Sequence, residues 1–304
     1  MKTLHILNGE GTAHPFRTSG IEGDLLIWHE ALMDGPVHHS LFGEEFWRAR
    51  QTFWGASDEK MRSIRVEMGK IHETEAYGHI ILWFEYDLFC QINMIAALHL
   101  LSQSSHQPTI SLVSPGAHEA IEDFRGMGQL SPEHFPPLLE EAVRLTAEDL
   151  QFAAVCWEVF QQQDATKLAT LTEHTFPVVF PYLKTALYNH LKRFPSTHNG
   201  LSAVEECMLK ILGLDLSSFR NWIGQCLRAE DGWLGMGDLQ YIRLAEGLGP
   251  LYMEDKQGIR INPVGMEVLR GERDFAAIRK QPQWLGGAQT SDFRWDGEKL
   301  IPQL

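Results

Sequence analysis

The fold of this chain is decided by one stretch, which reads His79-Ile80-Ile81-Leu82-Trp83-Phe84-Glu85-Tyr86-Asp87-Leu88-Phe89-Cys90-Gln91. Its first half is a strand pattern that is apolar on both faces, which is typical of a strand inside an α/β sheet. Its second half begins with carboxylates, which would lie where the strand ends. Open α/β sheets bind ligands at that carboxyl edge. The stretch therefore predicts a fold class and the position of a site.

Strand and helix patterns alternate on both sides of this stretch. The other predicted strands cover residues 3–8, 24–29 and 109–113, and the predicted helices cover residues 43–54, 57–70 and 88–101. Strands that are separated by helices favour βαβ units and a mainly parallel sheet. We therefore predict a Rossmann-like α/β domain over residues 1–130.

The rest of the chain has a different pattern of predicted secondary structure. Residues 131–200 carry a helical pattern throughout and are predicted to form a helical connector. Residues 201–304 begin with the capping box Ser202-Ala203-Val204-Glu205, which starts a helix. Two more short helices and a hairpin around the turn at 254–258 follow. This order predicts a winged-helix-like domain that ends in an aromatic-rich tail.

The composition indicates a soluble globular protein. The chain has 304 residues, of which 44% are hydrophobic and 22% are charged. Its four cysteines form no CxxC pair, so neither a zinc ribbon nor a disulfide framework is indicated. No signal peptide is recognisable, and no apolar run is long enough to span a membrane. We therefore expect a cytoplasmic protein without a membrane partner.

The negative charge is concentrated in the first half of the chain. The net charge is -14, and residues 1–150 carry 10 Lys and Arg against 22 Asp and Glu, which gives -12. A surface of this kind repels a polyanion. Nucleic-acid binding by the first half is therefore disfavoured.

Three carboxylates are candidates for a metal site. Asp34, Glu85 and Asp87 follow predicted strands, and all parallel strands end at one edge of a sheet. Such oxygen ligands suit Mg²⁺ or Mn²⁺, which would orient a phosphate or activate water. We therefore predict that these three residues hold a divalent cation. The alternative is that Glu85 and Asp87 cap the next helix and complement its dipole.

Other polar residues of the same edge are candidates for binding and catalysis. Asn8 ends the first strand, and Gly9 and Gly11 would let backbone amides approach a phosphate. A tight strand-to-helix turn is the alternative explanation for the glycines, since no dinucleotide fingerprint or P-loop is present. His29 and Glu30 end the second strand and are the predicted general bases. For His29 the alternative is a structural role.

Six segments in fixed order carry a family resemblance that spans nearly the whole chain. They are Asp34-Gly35-Pro36-Val37, the stretch 82–91, Gly126-Met127-Gly128-Gln129-Leu130, the stretch 194–202, Met236-Gly237-Asp238 and Trp284-Leu285-Gly286-Gly287. Together they resemble the bacterial family called domain of unknown function 1835 (DUF1835). The family has no established reaction, so the resemblance implies no catalytic residue. Its central motif usually reads WFEHDLFDQ, which implies that Glu85, Asp87 and Gln91 matter more than Tyr86 and Cys90. Gln91 is therefore predicted, with Asn8, Gly9 and Gly11, to bind the ligand.

These observations predict that the protein binds a small phosphate-bearing or nucleotide-like ligand at the carboxyl edge of the sheet, with metal-assisted hydrolysis as the reaction. Asp34, Glu85 and Asp87 would hold the metal. The alternative is a non-enzymatic ligand sensor or adaptor whose winged helix contacts DNA or a protein. The predicted third helix and hairpin carry few Lys and Arg, which favours a protein or intramolecular contact. A toprim-like phosphodiesterase is a third hypothesis.

Overall fold

A computed structural model describes residues 2–214 and 216–303 of the chain. The α-helices among these residues are α1 (Glu10–Phe16), α2 (Glu44–Trp54), α3 (Asp58–Gly69), α4 (Leu88–Ser102), α5 (Phe135–Glu140), α6 (Ala147–Phe160), α7 (Thr166–Glu173), α8 (Leu183–Leu191), α9 (Ala203–Ile211), α10 (Phe219–Ala229), α11 (Asp238–Gly247) and α12 (Pro263–Leu269). The strands are β1 (Lys2–Leu7), β2 (Asp24–Ile27), β3 (Gly35–Pro36), β4 (Tyr77–Trp83), β5 (Thr109–Val113), β6 (Val143–Arg144), β7 (Tyr252–Asp255), β8 (Gly258–Ile261), β9 (Trp284–Gly286), β10 (Ala288–Gln289), β11 (Phe293–Trp295) and β12 (Leu300–Pro302). Short 3-10 helices occupy Lys70–His72, Thr74–Ala76, Met127–Gln129, Pro132–His134, Gly249–Leu251 and Phe275–Ala277.

The largest sheet has five strands in the order β2-β1-β4-β5-β6. The first four strands are parallel, and β6 pairs antiparallel with β5. The prediction of an α/β fold with a mainly parallel sheet is confirmed. The predicted strand at 109–113 coincides with β5, whereas the strand predicted at 24–29 ends at Ile27.

The strand order reverses between β1 and β4. The chain steps from β1 to β2 on one side, and β4 and β5 then extend the sheet on the other side. The crevice outside the carboxyl ends of β1 and β4 is therefore the topological switch point, which is the usual ligand position in open α/β sheets.

Strand β4 and helix α4 form the centre of the core. The second half of β4, from Ile80 to Trp83, is buried on both faces. Helix α4 is apolar nearly all round because it is covered by the sheet and by α6 and α8. Asp87 begins the helix, since its Oδ1 accepts a hydrogen bond from Cys90 N at 2.8 Å. The predicted capping role of Asp87 is therefore confirmed.

The exposed edge of the sheet at β2 is covered by side chains. Glu67 Oε1 accepts a hydrogen bond from Ile27 N at 3.0 Å, and Lys70 Nζ donates to Leu25 O at 3.3 Å. These contacts occupy main-chain groups that an unprotected edge would offer to another strand.

One strand interrupts the stretch that was predicted to be helical throughout. Val143–Arg144 pairs with Ser111 and Leu112 of β5 and extends the sheet. The reason is tertiary, because β5 would otherwise be an open edge. The helix start predicted at Thr146 is confirmed by its capping box with Asp149.

The C-terminal part contains the elements that its sequence predicts. Ser202 and Glu205 form the predicted capping box at the start of α9. Helices α10 and α11 follow, and β7 and β8 form an antiparallel hairpin. In the tail, β9 pairs with β3 of the first half, so the end of the chain packs back on its beginning. None of the described helices is both long enough and apolar enough to cross a bilayer.

A buried ion pair fixes the loop that follows β2. Arg50 of α2 is fully buried, and its Nε and Nη2 donate to Glu30 Oε2 at 2.9 and 2.7 Å. Nη2 also donates to Ala31 O at 3.0 Å. Glu30 is therefore the charge partner of a buried guanidinium, which leaves it unsuited to the predicted role of general base.

Removing the negative partner should destabilise the fold. We expect Glu30→Gln to lower the free energy of unfolding by about 3–5 kcal/mol, because Arg50 would remain buried without a counter-charge. The control is Glu44→Gln, which breaks an exposed pair with Arg65 and should leave the free energy of unfolding nearly unchanged. Urea unfolding of both variants measures the difference, and equal small losses would contradict this role for Glu30.

Candidate functional site

Polar side chains from β1 and α4 meet at the switch point. Asn8 Nδ2 donates to Cys90 Sγ at 2.7 Å, and Asn93 Nδ2 donates to Asn8 Oδ1 at 3.0 Å. The Cys90 thiol donates to Glu85 Oε2 at 2.9 Å. Together with Asp87, these four residues form a buried group that we call the switch-point cluster.

Burial sets the protonation of the cluster. It raises the pKa of Glu85, although hydrogen bonds from Cys90 and Met127 act in the opposite direction. Burial, reinforced by the nearby Glu85 charge, raises the pKa of Asp87 to about 7. The pKa of the Cys90 thiol also lies well above its ordinary value because the group is buried. Cys90 is thus a packed thiol rather than an activated nucleophile.

Two loops close over the cluster. Met127 N donates to Glu85 Oε1 at 2.7 Å from one side. On the other side, the cluster is covered by residues 231–235 of the C-terminal part, a segment that we call the strap. Its carbonyls at Trp233 and Leu234 accept hydrogen bonds from the first amides of α4, those of Leu88 and Phe89, at 2.8 and 3.1 Å. The place where a ligand oxygen would meet α4 is therefore taken by the protein's own main chain.

A glycine lets the strap approach the cluster. Gly235 has φ +65°, and a Cβ at this position would lie 2.3 Å from Asp87 Oδ1. Both the backbone conformation and the space therefore require glycine here.

The predicted metal ligands are not brought together. The Asp34 carboxylate is paired with Arg193 and accepts a hydrogen bond from Gln240 Nε2 at 2.7 Å. Both oxygens of Glu85 accept hydrogen bonds within the cluster. Within residues 2–214 and 216–303, no three His, Cys, Asp or Glu side chains are arranged to hold a metal ion. The side chains of Asp34, Glu85 and Asp87 therefore do not fit the predicted Mg²⁺ or Mn²⁺ site.

Gln91 is part of the same buried region. Its Nε2 donates to Glu85 O at 2.7 Å, while its Oε1 is buried without a hydrogen-bond partner among the described residues. The contacts of Gln91 are thus to the turn between β4 and α4. They give no direct indication of the ligand-binding role that was predicted.

A separate open cleft contains His29. This His29 cleft lies between α1, the edge of β2 and α3, and has a volume of about 580 Å³. Its basic lining residues are Arg17, Arg62 and Lys70. Gly9 and Gly11 flank Glu10, another lining residue, and a Cβ on either glycine would meet no atom within 4 Å. The amide of Gly9 donates to Leu7 O at 3.0 Å, and Gly9 has φ +89°. These features fit the alternative of a tight strand-to-helix turn, and the predicted phosphate contact of Gly9 and Gly11 stays a prediction.

The imidazole of His29 is suited to act as a neutral acceptor. Burial lowers the pKa of His29, although the charge of Glu10 acts in the opposite direction. The ring is therefore neutral near pH 7. The acidic residues of the cleft are partly compensated, since Glu10 pairs with Arg17 at 2.9 Å and Glu67 with Lys70 at 2.6 Å.

Sequence reasoning identified His29 but missed the basic residues around it. A signal was present, because four of the ten Lys and Arg residues of the first half fall within residues 60–70. The net charge of -12 over residues 1–150 hides this local concentration. Only the packing of α3 against β2 brings Arg62 and Lys70 next to His29.

The proton held by Asp87 should appear in the pH dependence of stability. A carboxyl whose pKa rises from 3.8 to about 7 on folding takes up a proton, so its contribution to stability is lost as pH rises through that window. We expect the unfolding free energy of the wild type, relative to Asp87→Asn, to fall by on the order of 4 kcal/mol between about pH 4 and about pH 8. Asparagine is chosen because it keeps the helix cap.

Chemical denaturation across this pH range measures the effect. The control, Glu119→Gln, removes an exposed carboxyl that makes no contact with the cluster. A difference between wild type and Asp87→Asn that does not change with pH would show that Asp87 remains ionised in the folded state.

The comparisons with known proteins add no assignment to this geometry. No family model matches the chain, and no match was found among curated proteins. The resemblance to DUF1835 therefore stays a prediction from the sequence.

Proposed function

We propose that this protein binds a small phosphate-bearing ligand in the His29 cleft. The observation that carries the proposal is the guanidinium of Arg62, which forms no salt bridge among the described residues. Glu10, Glu59 and Glu67 also line the cleft, and Glu10 and Glu67 are paired with Arg17 and Lys70. The first half of the chain has a net charge of -12, yet Arg17, Arg62 and Lys70 line one cleft. Lys60 also lies close enough to influence the pKa of His29. A guanidinium without a counter-charge at the mouth of a cleft is a binding partner for a phosphate oxygen.

The size and chemistry of the cleft suit a ligand of this kind. A volume of about 580 Å³ falls within the usual range for small-molecule sites. Guanidinium groups bind phosphate oxygens in a bidentate manner. Arg62 forms no salt bridge among the described residues, and we therefore propose that its guanidinium binds the phosphate.

Hydrolysis is the reaction to assay first. The neutral His29 ring is suited to accept a proton from a water molecule whose oxygen attacks phosphorus. The P–O bond to the alcohol of the ligand breaks in this step, and the alcohol oxygen takes up a proton from His29 or from solvent as it leaves. Glu30, the other predicted base, is paired with Arg50. We therefore assign the role of base to His29 alone.

Calorimetric titration with inorganic phosphate and with a nucleoside monophosphate tests this proposal. We expect Arg62→Gln to weaken binding about 10- to 100-fold, because one charge-assisted hydrogen bond contributes about 1.5–3 kcal/mol. The matched control is Arg65→Gln on the same helix, whose guanidinium is paired with Glu44 outside the cleft. Phosphate release by wild type and His29→Gln reports on hydrolysis. Equal affinity of Arg62→Gln and Arg65→Gln would remove the cleft as the site.

We propose a non-enzymatic adaptor role as the second candidate, and a specific contact favours it. The strap of the C-terminal part is bound to the first amides of α4, so the two halves are joined at the switch point. We propose that the C-terminal part is a winged-helix-like unit. Three helices followed by a hairpin support this, as does an antiparallel bridge from Leu216 to Ile259 of the hairpin.

The charges of this unit favour a protein partner over DNA. The third helix, α11, faces the first half, where Arg243 donates to Phe53 O at 2.7 Å. Several basic residues that follow are neutralised in ion pairs. They are Arg260 with Asp255, Arg270 with Glu272, Arg273 with Glu267 and Arg279 with Glu205. A DNA-reading surface requires basic side chains that are available to phosphates.

Gly235→Ala tests whether the strap is held at Asp87. The new Cβ would overlap the Asp87 carboxylate, so we expect the amides of Leu88 and Phe89 to exchange hydrogen at least about tenfold faster. The control is Gly55→Ala, which has a similar φ of +62° but meets no atom within 4 Å. Exchange that is equally slow in both variants would contradict the strap contact. A salt-sensitive shift of a DNA duplex by the wild type would replace the protein partner with DNA.

A further inference from the structure

A second cavity lies where the two halves of the chain meet. This junction cavity has a volume of about 460 Å³ and is lined by the loop after β2, by α11 and by the tail around β9. Ligand sites are common at such junctions between structural units. It shares no lining residue with the His29 cleft.

The charges of the junction cavity leave one guanidinium without a counter-ion. Arg193 is compensated, because it pairs with Asp34 and donates to Met33 O at 2.8 Å. Arg243 differs, since no carboxylate lies within 4.0 Å of it among the described residues. One of its nitrogens donates to Phe53 O, and the guanidinium lies 4.0 Å from the centroid of the Phe53 ring. This packing orients the group and leaves its other donors for the cavity.

The remaining lining fits the body of an organic molecule. Met236, Leu244, Pro282 and Leu285 supply apolar surface. Gln281 and Gln283 supply amides that can donate or accept hydrogen bonds. An apolar pocket with a few polar groups that converge is the usual form of a small-molecule site.

We infer that the junction cavity binds a small organic monocarboxylate, whose carboxylate pairs with Arg243 and whose apolar body fills the space between α11 and β9. A carboxylate matches the two parallel donors that a guanidinium presents. A phosphate dianion fits less well, because Arg243 is the single cation described there that lacks a salt bridge, and Glu246, which also forms none among the described residues, lines the same cavity. The Glu246 carboxylate disfavours any anion, and it disfavours a dianion more than a monoanion.

Such a ligand would bridge the two halves of the protein. Arg243 belongs to α11 of the C-terminal part, and Phe53 belongs to α2 of the first half. A molecule seated between them stabilises their contact, since it binds only when both surfaces are in place. This inference does not depend on the proposed phosphate site, because the two sites use different residues.

Binding of benzoate, followed by NMR titration and calorimetry, tests the inference. We expect saturable binding to the full chain, with weaker or no binding of neutral benzamide and of dianionic phenyl phosphate. Arg243→Gln should weaken benzoate binding at least about tenfold, and Arg243→Lys should retain part of it. The control is Arg228→Gln on α10, which lies outside the cavity. Benzoate binding that is unchanged in Arg243→Gln would overturn the assignment.

A cavity-filling variant separates binding from folding. Leu244→Trp keeps Arg243 but occupies the space of the ligand body, and its thermal melt shows whether it is folded. Loss of benzoate binding in a folded Leu244→Trp supports the site, and retention overturns it. Tighter binding of phenyl phosphate than of benzoate would overturn the carboxylate class. Arg62→Gln should leave benzoate binding unchanged, so the proposal of a phosphate site and the inference of a carboxylate site are tested separately.

Discussion

The N-terminus of α4 is buried at the centre of the protein, and its main-chain amides need partners that water does not supply there. Asp87 provides one partner through its side chain, and the strap provides two through the carbonyls of Trp233 and Leu234. The start of the central helix is therefore completed by a segment from the other end of the chain. The C-terminal part docks here because its carbonyls bind these amides. Position 235 is a glycine because a Cβ there would overlap the Asp87 carboxylate.

Buried arginines need charge partners in the same way, and this explains the carboxylates around the loop after β2. Arg50 and Arg193 are both buried, and each is neutralised by an acid, Glu30 and Asp34 respectively. Acids at the carboxyl edge of a sheet thus serve here as charge partners for arginines. The two sites proposed above instead use guanidiniums that form no salt bridge among the described residues, Arg62 in the His29 cleft and Arg243 in the junction cavity.

Much of the fold could be predicted because local patterns agree with it. The apolar stretch 79–84 became β4, and the pattern after Asp87 became α4, since hydrophobic periodicity and a helix cap act over a few residues. The convergence of Asn8 and Glu85 also followed from parallel topology. Strand β6 could not be predicted, because two residues carry no period and their pairing depends on the open edge of β5.

The sequence by itself determined the class of the sheet, the caps of its helices and the edge at which polar residues collect. Only the tertiary structure decided which of those residues line an open cleft and which are paired with an arginine. The physical reason is that the surroundings of a carboxylate decide what it does. Glu30 forms a buried ion pair with Arg50, whereas burial, reinforced by the charge of Glu85, raises the pKa of Asp87 to about 7. Such surroundings are assembled from segments far apart in the chain, and no local pattern encodes them.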